Sequence, residues 1–67
     1  MQWTWRDVQE IAAGLAEAHP ETDPLSVPLR ELKRIVNALP SFADDPEAAT
    51  DATLEAIQAA WYDQIEG

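Results

Sequence analysis

Loops marked by proline separate three segments of the chain, and each segment carries apolar residues at the spacing of an amphipathic helix. Within a segment the apolar side chains recur at i, i+3, i+4 or i+7, which places them on one face of a helix. These positions are Val8, Ile11, Ala12 and Leu15 in the first segment, Leu32, Ile35, Val36 and Leu39 in the second, and Leu54, Ile57, Trp61 and Ile65 in the third. The pattern predicts an all-α fold, a small three-helix domain that spans residues 1–67.

The residues around the first stripe indicate where that helix begins and ends. Thr4 is a good N-cap, because its hydroxyl can accept a backbone N–H, and Asp7 follows three residues later as in a capping box. Pro20 steers the residue before it away from helical geometry, so the helix should end near Ala18. With Thr4 as its N-cap, the same helix should start just after that residue.

The second and third helices are predicted over residues 30–38 and 51–65. Between the first two helices, residues 25–29 alternate apolar and polar, and Pro28 confines them to an extended linker or an edge strand. Three short helices with an extended segment between the first two resemble a winged-helix or helix-turn-helix arrangement.

The size and residue content of the chain limit the chemistry that it can perform. A domain of 67 residues buries only about 60% of the surface that its unfolded chain exposes, which leaves little room for an enclosed active site. The chain has no cysteine, two glycines and one histidine, so thiol nucleophiles, phosphate-binding loops and zinc sites lack their usual residues. His19, beside Pro20, is expected to be an ordinary surface residue. We expect no enzymatic activity.

Charge separates the remaining function classes. The chain has 13 acidic and 4 basic residues, a net charge of −9, and 46% hydrophobic residues, which favours a folded acidic domain over a disordered tail. Nucleic acid and anionic membranes should be repelled, because binding them requires Lys and Arg. No apolar stretch approaches the ~20 residues of a membrane span, so we expect a cytoplasmic protein. Cationic protein surfaces and metal cations should be attracted.

Three of the four basic residues, Arg30, Lys33 and Arg34, lie on the outer face of the second helix. They can balance the acidic first and last helices, or they can form a small recognition face. As DNA-binding residues of a winged helix they would work against the negative charge of the whole chain.

The loop FADDPEAATD before the third helix contains more acid than a helix cap requires. Asp45 can cap the turn that Pro46 begins, because proline suits the first helical position. Phe42 can anchor the loop to the core. Neither job requires Asp44 or Glu47, so these side chains are either solvated or part of a working acidic surface.

The order and spacing of several residues resemble the IscX family, small acidic proteins of bacterial iron–sulfur cluster assembly. The resemblance covers residues 5–66, and its most specific parts are the runs FADDP and LEAI followed by a late tryptophan. The matching positions are Trp5, Asp7, Glu10, Ile11, Pro20, Asp23, Pro24, Val27, Phe42, Asp44, Asp45, Pro46, Leu54, Glu55, Ala56, Ile57, Trp61 and Asp63.

The resemblance implies a compact helical fold related to the winged helix, and an adaptor rather than a catalyst. It implies binding to the cysteine desulfurase of the pathway, at a basic surface that bacterial frataxin also uses. It further implies weak binding of Fe²⁺ or Fe³⁺ by exposed carboxylates, with no tightly bound cofactor. The partner-binding candidates are Asp7, Glu10, Glu17, Asp44, Asp45, Glu55 and Asp63, and the iron-binding candidates are Glu10, Glu17 and Glu21.

Two other functions remain open at this point. An iron donor or iron sensor for cluster assembly is the first alternative, and a DNA-binding winged-helix protein is the more distant one. In each case we expect the protein to be a monomer.

Overall fold

The computed structural model describes residues 2–66, with the backbone alone at Pro46. Three α-helices make up most of the described chain, and the prediction of a small all-α fold is confirmed. Their bounds are Val8–Ala18 for α1, Leu29–Asn37 for α2 and Asp51–Glu66 for α3. None of these helices is long and apolar enough to cross a membrane.

The first helix starts later than the sequence predicts. Thr4 does not cap α1, because residues 4–7 form a closed turn of their own before the helix begins at Val8. The carbonyl of Thr4 accepts the Asp7 N–H at 3.0 Å, and the Asp7 carboxylate accepts the Thr4 N–H at 2.9 Å. The reciprocal bond of the capping box thus forms, but it closes a turn, and Asp7 occupies the N-cap position without a side-chain cap bond. The predicted end of α1 at Ala18 is confirmed.

The connection between α1 and α2 is less extended than predicted. A 3₁₀ turn, Pro24–Ser26, runs into the predicted segment 25–29, and within that segment Val27 and Pro28 have extended backbone. The Asp23 carboxylate closes this turn by accepting the Leu25 N–H at 3.1 Å and the Ser26 hydroxyl at 3.1 Å. Aspartate before proline is a strong turn signal, and it outweighs the alternation of apolar and polar residues.

The β structure within residues 2–66 is one isolated parallel bridge, between Trp3 and Phe42. A second 3₁₀ turn, Pro46–Ala48, precedes α3. These elements do not show a likeness to a winged helix, which stays a prediction.

One buried cluster joins all three helices and includes most of the predicted stripes. Its members are Trp5, Ile11, Ala12, Leu15, Leu32, Val36, Leu39, Leu54, Ile57, Ala60 and Trp61. Val8 and Ile35 are only partly buried. The prediction for Ile65 is wrong, since this side chain is 40% exposed. Ile65 faces the short loop 20–25 across an open cleft, and no helix packs over it, so Trp61 is the last residue of the stripe to be buried.

Helices α1 and α3 pack most extensively against each other, and the loop that follows α1 lies beside the last turns of α3, so the two helices end at the same side. His19, the residue after α1, places its ring 6.3 Å from that of Trp61 in the second half of α3, and it is half-buried, not an ordinary surface residue. The side-chain amide of Gln58 donates to the carbonyls of Pro24 at 2.6 Å and Val27 at 3.0 Å. The loop after α1 is therefore fastened to the second half of α3.

Candidate functional site

Residues 3–5 are joined to residues 41–45 by paired backbone bonds and ring contacts, an arrangement that we call the N-terminal clip. The Trp3 N–H donates to the Ser41 carbonyl at 2.6 Å, and the Ala43 N–H donates to the Trp3 carbonyl at 2.8 Å. The rings of Trp5 and Phe42 meet edge to face, with centroids 4.6 Å apart. Edge-to-face pairs are favoured by the ring quadrupoles. The prediction that Phe42 anchors the loop to the core is confirmed.

Asp44 and Asp45 are structural members of this clip. One Asp44 oxygen accepts the Trp5 N–H at 3.2 Å, and the other accepts the Asp45 N–H at 2.7 Å. The Asp45 carboxylate caps the 3₁₀ turn through the Glu47 N–H at 2.9 Å, as predicted, and its carbonyl accepts the Trp5 indole N–H at 2.7 Å. The expectation that Asp44 has no structural role is wrong, because its carboxylate accepts the Trp5 N–H. Sequence patterns did not reveal this role, since the two residues lie 39 positions apart.

Two of the basic residues on α2 have acidic partners close at hand. Arg34 donates to Glu31, one turn earlier on the same helix, with its Nε at 3.1 Å from the carboxylate. This hydrogen bond lowers the pKa of Glu31 and raises the pKa of Arg34. Lys33 lies 3.8 Å from Glu47. The predicted charge balance is therefore present, but its partners are Glu31 and Glu47 and not the acids of the first and last helices.

A second group of carboxylates is exposed and has neither a hydrogen bond nor an ion pair within residues 2–66. Its members are Glu10 and Glu17 on α1, Glu21 in the loop, and Asp51, Glu55, Asp63 and Glu66 on α3. The predicted site residues thus divide into two sets. Asp7, Asp44 and Asp45 hold backbone groups, whereas Glu10, Glu17, Glu21, Glu55 and Asp63 are left to solvent. The second set has all its acceptor sites available to a partner, whereas the first set can offer only those that its backbone bonds leave unused.

Acidic side chains and helix carboxyl termini lie together at the end of the molecule where α1 and α3 finish. Neither helix has a basic residue in its last turn, so the partial negative charge of each carboxyl terminus is left uncompensated there. Glu17 and Asp63 lie in these last turns, and Glu21 follows in the loop. We call this end of the molecule the acidic pole, and its acidic residues are Glu17, Glu21, Asp23, Asp63 and Glu66.

A cleft of about 430 Å³ opens at the acidic pole, between the loop after α1 and the last turns of α3. Leu25, Tyr62 and Ile65 line it, and all three are exposed. Sequence reasoning missed this patch because it assigned Ile65 to the core and Leu25 to a linker. The available signal was the position of Tyr62 and Ile65 one turn apart beside acidic residues.

The described residues contain no group of three or more His, Asp or Glu side chains arranged to hold a metal ion. Glu10, Glu17 and Glu21 are therefore not gathered into a site with fixed geometry. The exposed carboxylates still offer the hard oxygen ligands that iron accepts, as single groups on the surface. Weak iron binding stays a prediction.

Comparison with known proteins places the chain in a family. Residues 2–66 match the family model described as "Iron-sulphur cluster assembly". The chain is also 48% identical over 64 residues to the uncharacterized protein PA3808 of Pseudomonas aeruginosa. The aligned region covers 96% of this chain and 97% of that protein. The chain therefore belongs to the iron–sulfur cluster assembly family, and the resemblance to the IscX family seen in the sequence is confirmed.

Proposed function

We propose that this protein is a small, non-enzymatic adaptor that regulates iron–sulfur cluster assembly by docking on the cysteine desulfurase of the pathway. The observation that carries the proposal is the set of exposed carboxylates on α1 and α3 that have no basic partner within residues 2–66. Membership of the iron–sulfur cluster assembly family supports the choice of pathway. The partner surface would be basic, the one that the resemblance assigns to bacterial frataxin as well.

Surface charge without a partner inside the protein mainly affects the rate at which two proteins associate. Solvated carboxylates facing a cationic surface raise the association rate and orient the partners, and salt screens this effect strongly. Glu10 and Glu17 on α1, with Glu55 and Asp63 on α3, are the groups that we assign to this role. Asp7, Asp44 and Asp45 act indirectly, because they hold the backbone from which α1 and α3 begin.

The proposal can be tested by measuring the affinity for a purified cysteine desulfurase at several salt concentrations. We expect the affinity to fall as ionic strength rises. The double variant Glu10→Lys/Glu17→Lys should bind more weakly and with a shallower salt dependence, because two attractive charges become repulsive. Both side chains are exposed and unbonded, so circular dichroism should show unchanged helix content.

The matched control is the neutral variant Glu10→Gln/Glu17→Gln, which keeps side-chain size and should weaken binding by less than the reversal does. An affinity that stays constant from low to high salt would show that docking is not electrostatic. A folded Lys variant that binds like the native protein would remove α1 from the docking surface.

Iron binding is a secondary part of the proposal. Carboxylates that are spread over a surface and lack fixed geometry hold hard cations loosely. A titration with Fe²⁺ at physiological salt should give weak binding that does not saturate at micromolar metal. Saturable sub-micromolar binding would instead favour an iron donor or iron sensor.

A further inference from the structure

The cleft at the acidic pole exposes large apolar side chains that the core does not use. Leu25 is 63% exposed, Tyr62 is 37% exposed and Ile65 is 40% exposed. Within the described part of the chain, no other large apolar side chain is as exposed as these three. All three line one cleft, so they form a patch and are not scattered singly. Apolar patches with a polar rim mark interaction sites more often than single exposed residues do.

The rim of this cleft is acidic. Glu21, Asp23 and Glu66 line it together with the apolar residues, and no lysine or arginine does. The carboxyl termini of α1 and α3 end beside it without a basic residue in their last turns. An occupant must therefore offer apolar surface to the floor and positive charge to the rim.

A second copy of the chain meets only half of this requirement. It could offer its own Leu25 and Ile65, but each copy carries a net charge of −9 and brings the same acidic rim. Like charges placed face to face oppose such a contact, most strongly at low salt. Charge complementarity therefore favours a basic partner over self-association.

We propose that the cleft is a docking groove for a partner segment that presents one apolar or aromatic side chain between lysine or arginine residues. The inference rests on the proposed function and deepens it, because it adds an apolar anchor to the electrostatic surface. The acidic rim speeds and orients the encounter, and the buried anchor slows dissociation.

The first test measures the affinity of the double variant Leu25→Ala/Ile65→Ala for the cysteine desulfurase. We expect binding about tenfold weaker, the usual effect of truncating a buried interface anchor, with an unchanged salt dependence. Charge reversal at Glu10 and Glu17 should instead change the salt dependence. The control is Gln64→Ala, which alters an exposed residue of the same helical turn that does not line the cleft.

The second test uses a probe that does not depend on the desulfurase. A short synthetic peptide with one tryptophan between lysines and arginines is titrated into the native protein. The same peptide with serine in place of tryptophan serves as control. We expect the methyl NMR signals of Leu25 and Ile65 to shift with the tryptophan peptide and to stay in place with the serine peptide.

These outcomes separate the two proposals. Absence of any binding to the desulfurase would overturn the proposed function, and the peptide titration would then decide the groove alone. The groove is overturned if the Leu25 and Ile65 signals ignore the tryptophan peptide. It is also overturned if the double variant binds the desulfurase as tightly as the native protein does. Sedimentation showing a dimer that is lost in the double variant would assign the patch to self-association and overturn the groove as well.

Discussion

The Asp44 carboxylate joins two segments that lie 39 residues apart in sequence. It holds the part-buried N–H of Trp5 with one oxygen and the N–H of Asp45 with the other. A part-buried donor that loses its acceptor costs more than the net value of the bond, because water does not fully replace it. At the scale of single residues, some carboxylates hold backbone groups whereas others are left to solvent, and amino-acid composition cannot separate the two sets.

Replacing Asp44 by Ala should lower the free energy of unfolding by about 1–2 kcal/mol, since the Trp5 N–H loses its acceptor. Urea denaturation followed by circular dichroism measures the change. Glu47→Ala is the control, because the Glu47 carboxylate is exposed and makes only a 3.8 Å contact with Lys33. That control should stay within about 0.5 kcal/mol of the native protein. Equal effects of the two substitutions would contradict a structural role for Asp44.

Within residues 2–66, close approach of a neighbouring side chain requires a glycine at Gly14. A Cβ at this residue would lie 2.8 Å from the Trp3 ring, and Trp3 is tied to Ser41 and Ala43 on either side of its own backbone. Helix propensity favours alanine over glycine by about 1 kcal/mol, whereas overpacking costs about 1–3 kcal/mol. Gly14→Ala should therefore destabilise the protein by about 1 kcal/mol.

Urea denaturation measures this change, and Trp3 fluorescence should shift as the ring is displaced. The exposed neighbour gives the matched control, since Ala13→Gly reports the propensity difference in α1 without any contact to Trp3. A Gly14→Ala protein more stable than the native one would show that Trp3 moves aside at no cost.

At the scale of elements, local signals predicted helices well and long-range contacts poorly. The bounds of α2 lie one residue before those predicted, and α3 begins at the predicted residue, because apolar period and flanking prolines are local. The predicted start of α1 was wrong because the N-terminal clip fixes the backbone at Trp3 and Trp5 through bonds to residues 41–45. The capping signal at Thr4 is local and carries no information about those bonds. For the same reason the acids of the candidate site could be named from the sequence, but not divided into bonded and free ones.

The Glu31–Arg34 pair on α2 makes a prediction about pH. The hydrogen bond from Arg34 lowers the pKa of Glu31 below its ordinary value of 4.5. The pair therefore stabilises the fold above that ordinary value, and its contribution is lost as the pH falls through the lowered pKa of the folded state. Arg34 is exposed and the Glu31 side chain is 42% accessible to solvent, so the contribution is small and salt reduces it.

Arg34→Gln should thus be less stable than the native protein near neutral pH, and the difference should close in acid. Urea denaturation of both proteins between neutral pH and pH 3 measures it. A stability difference that grows as the pH falls would contradict the assigned ion pair.

At the scale of the whole molecule, the location of charge matters more than its sum. The described chain measures 28 × 24 × 16 Å, whereas the Debye length at physiological salt is about 8 Å. A partner on one side is therefore screened from most of the net charge of −9 and responds to the carboxylates on the face that it meets. The proposed docking through α1, α3 and the acidic pole would therefore depend on the charge of those faces.

If the proposed docking on the desulfurase is right, we expect competition with bacterial frataxin, because both proteins would use the same basic surface. Frataxin added to the complex should displace this protein, and the concentration needed should fall when Glu10 and Glu17 are neutralised. A competition titration with labelled protein measures both quantities. Simultaneous saturable binding of the two proteins would place their docking surfaces apart.

The N-terminal clip also bears on the order in which the chain acquires its structure. Its bonds join residues about 40 positions apart, so the chain must bring distant segments together before any of them forms, while the helices close over a few residues. Of the three tryptophans, Trp3 belongs to the clip, Trp61 to the core and Trp5 to both. Burial of Trp61 also joins distant segments, since its ring lies 6.3 Å from that of His19. We therefore expect single-tryptophan versions carrying Trp3 or Trp61 to report clip closure and core formation after the helices appear by circular dichroism.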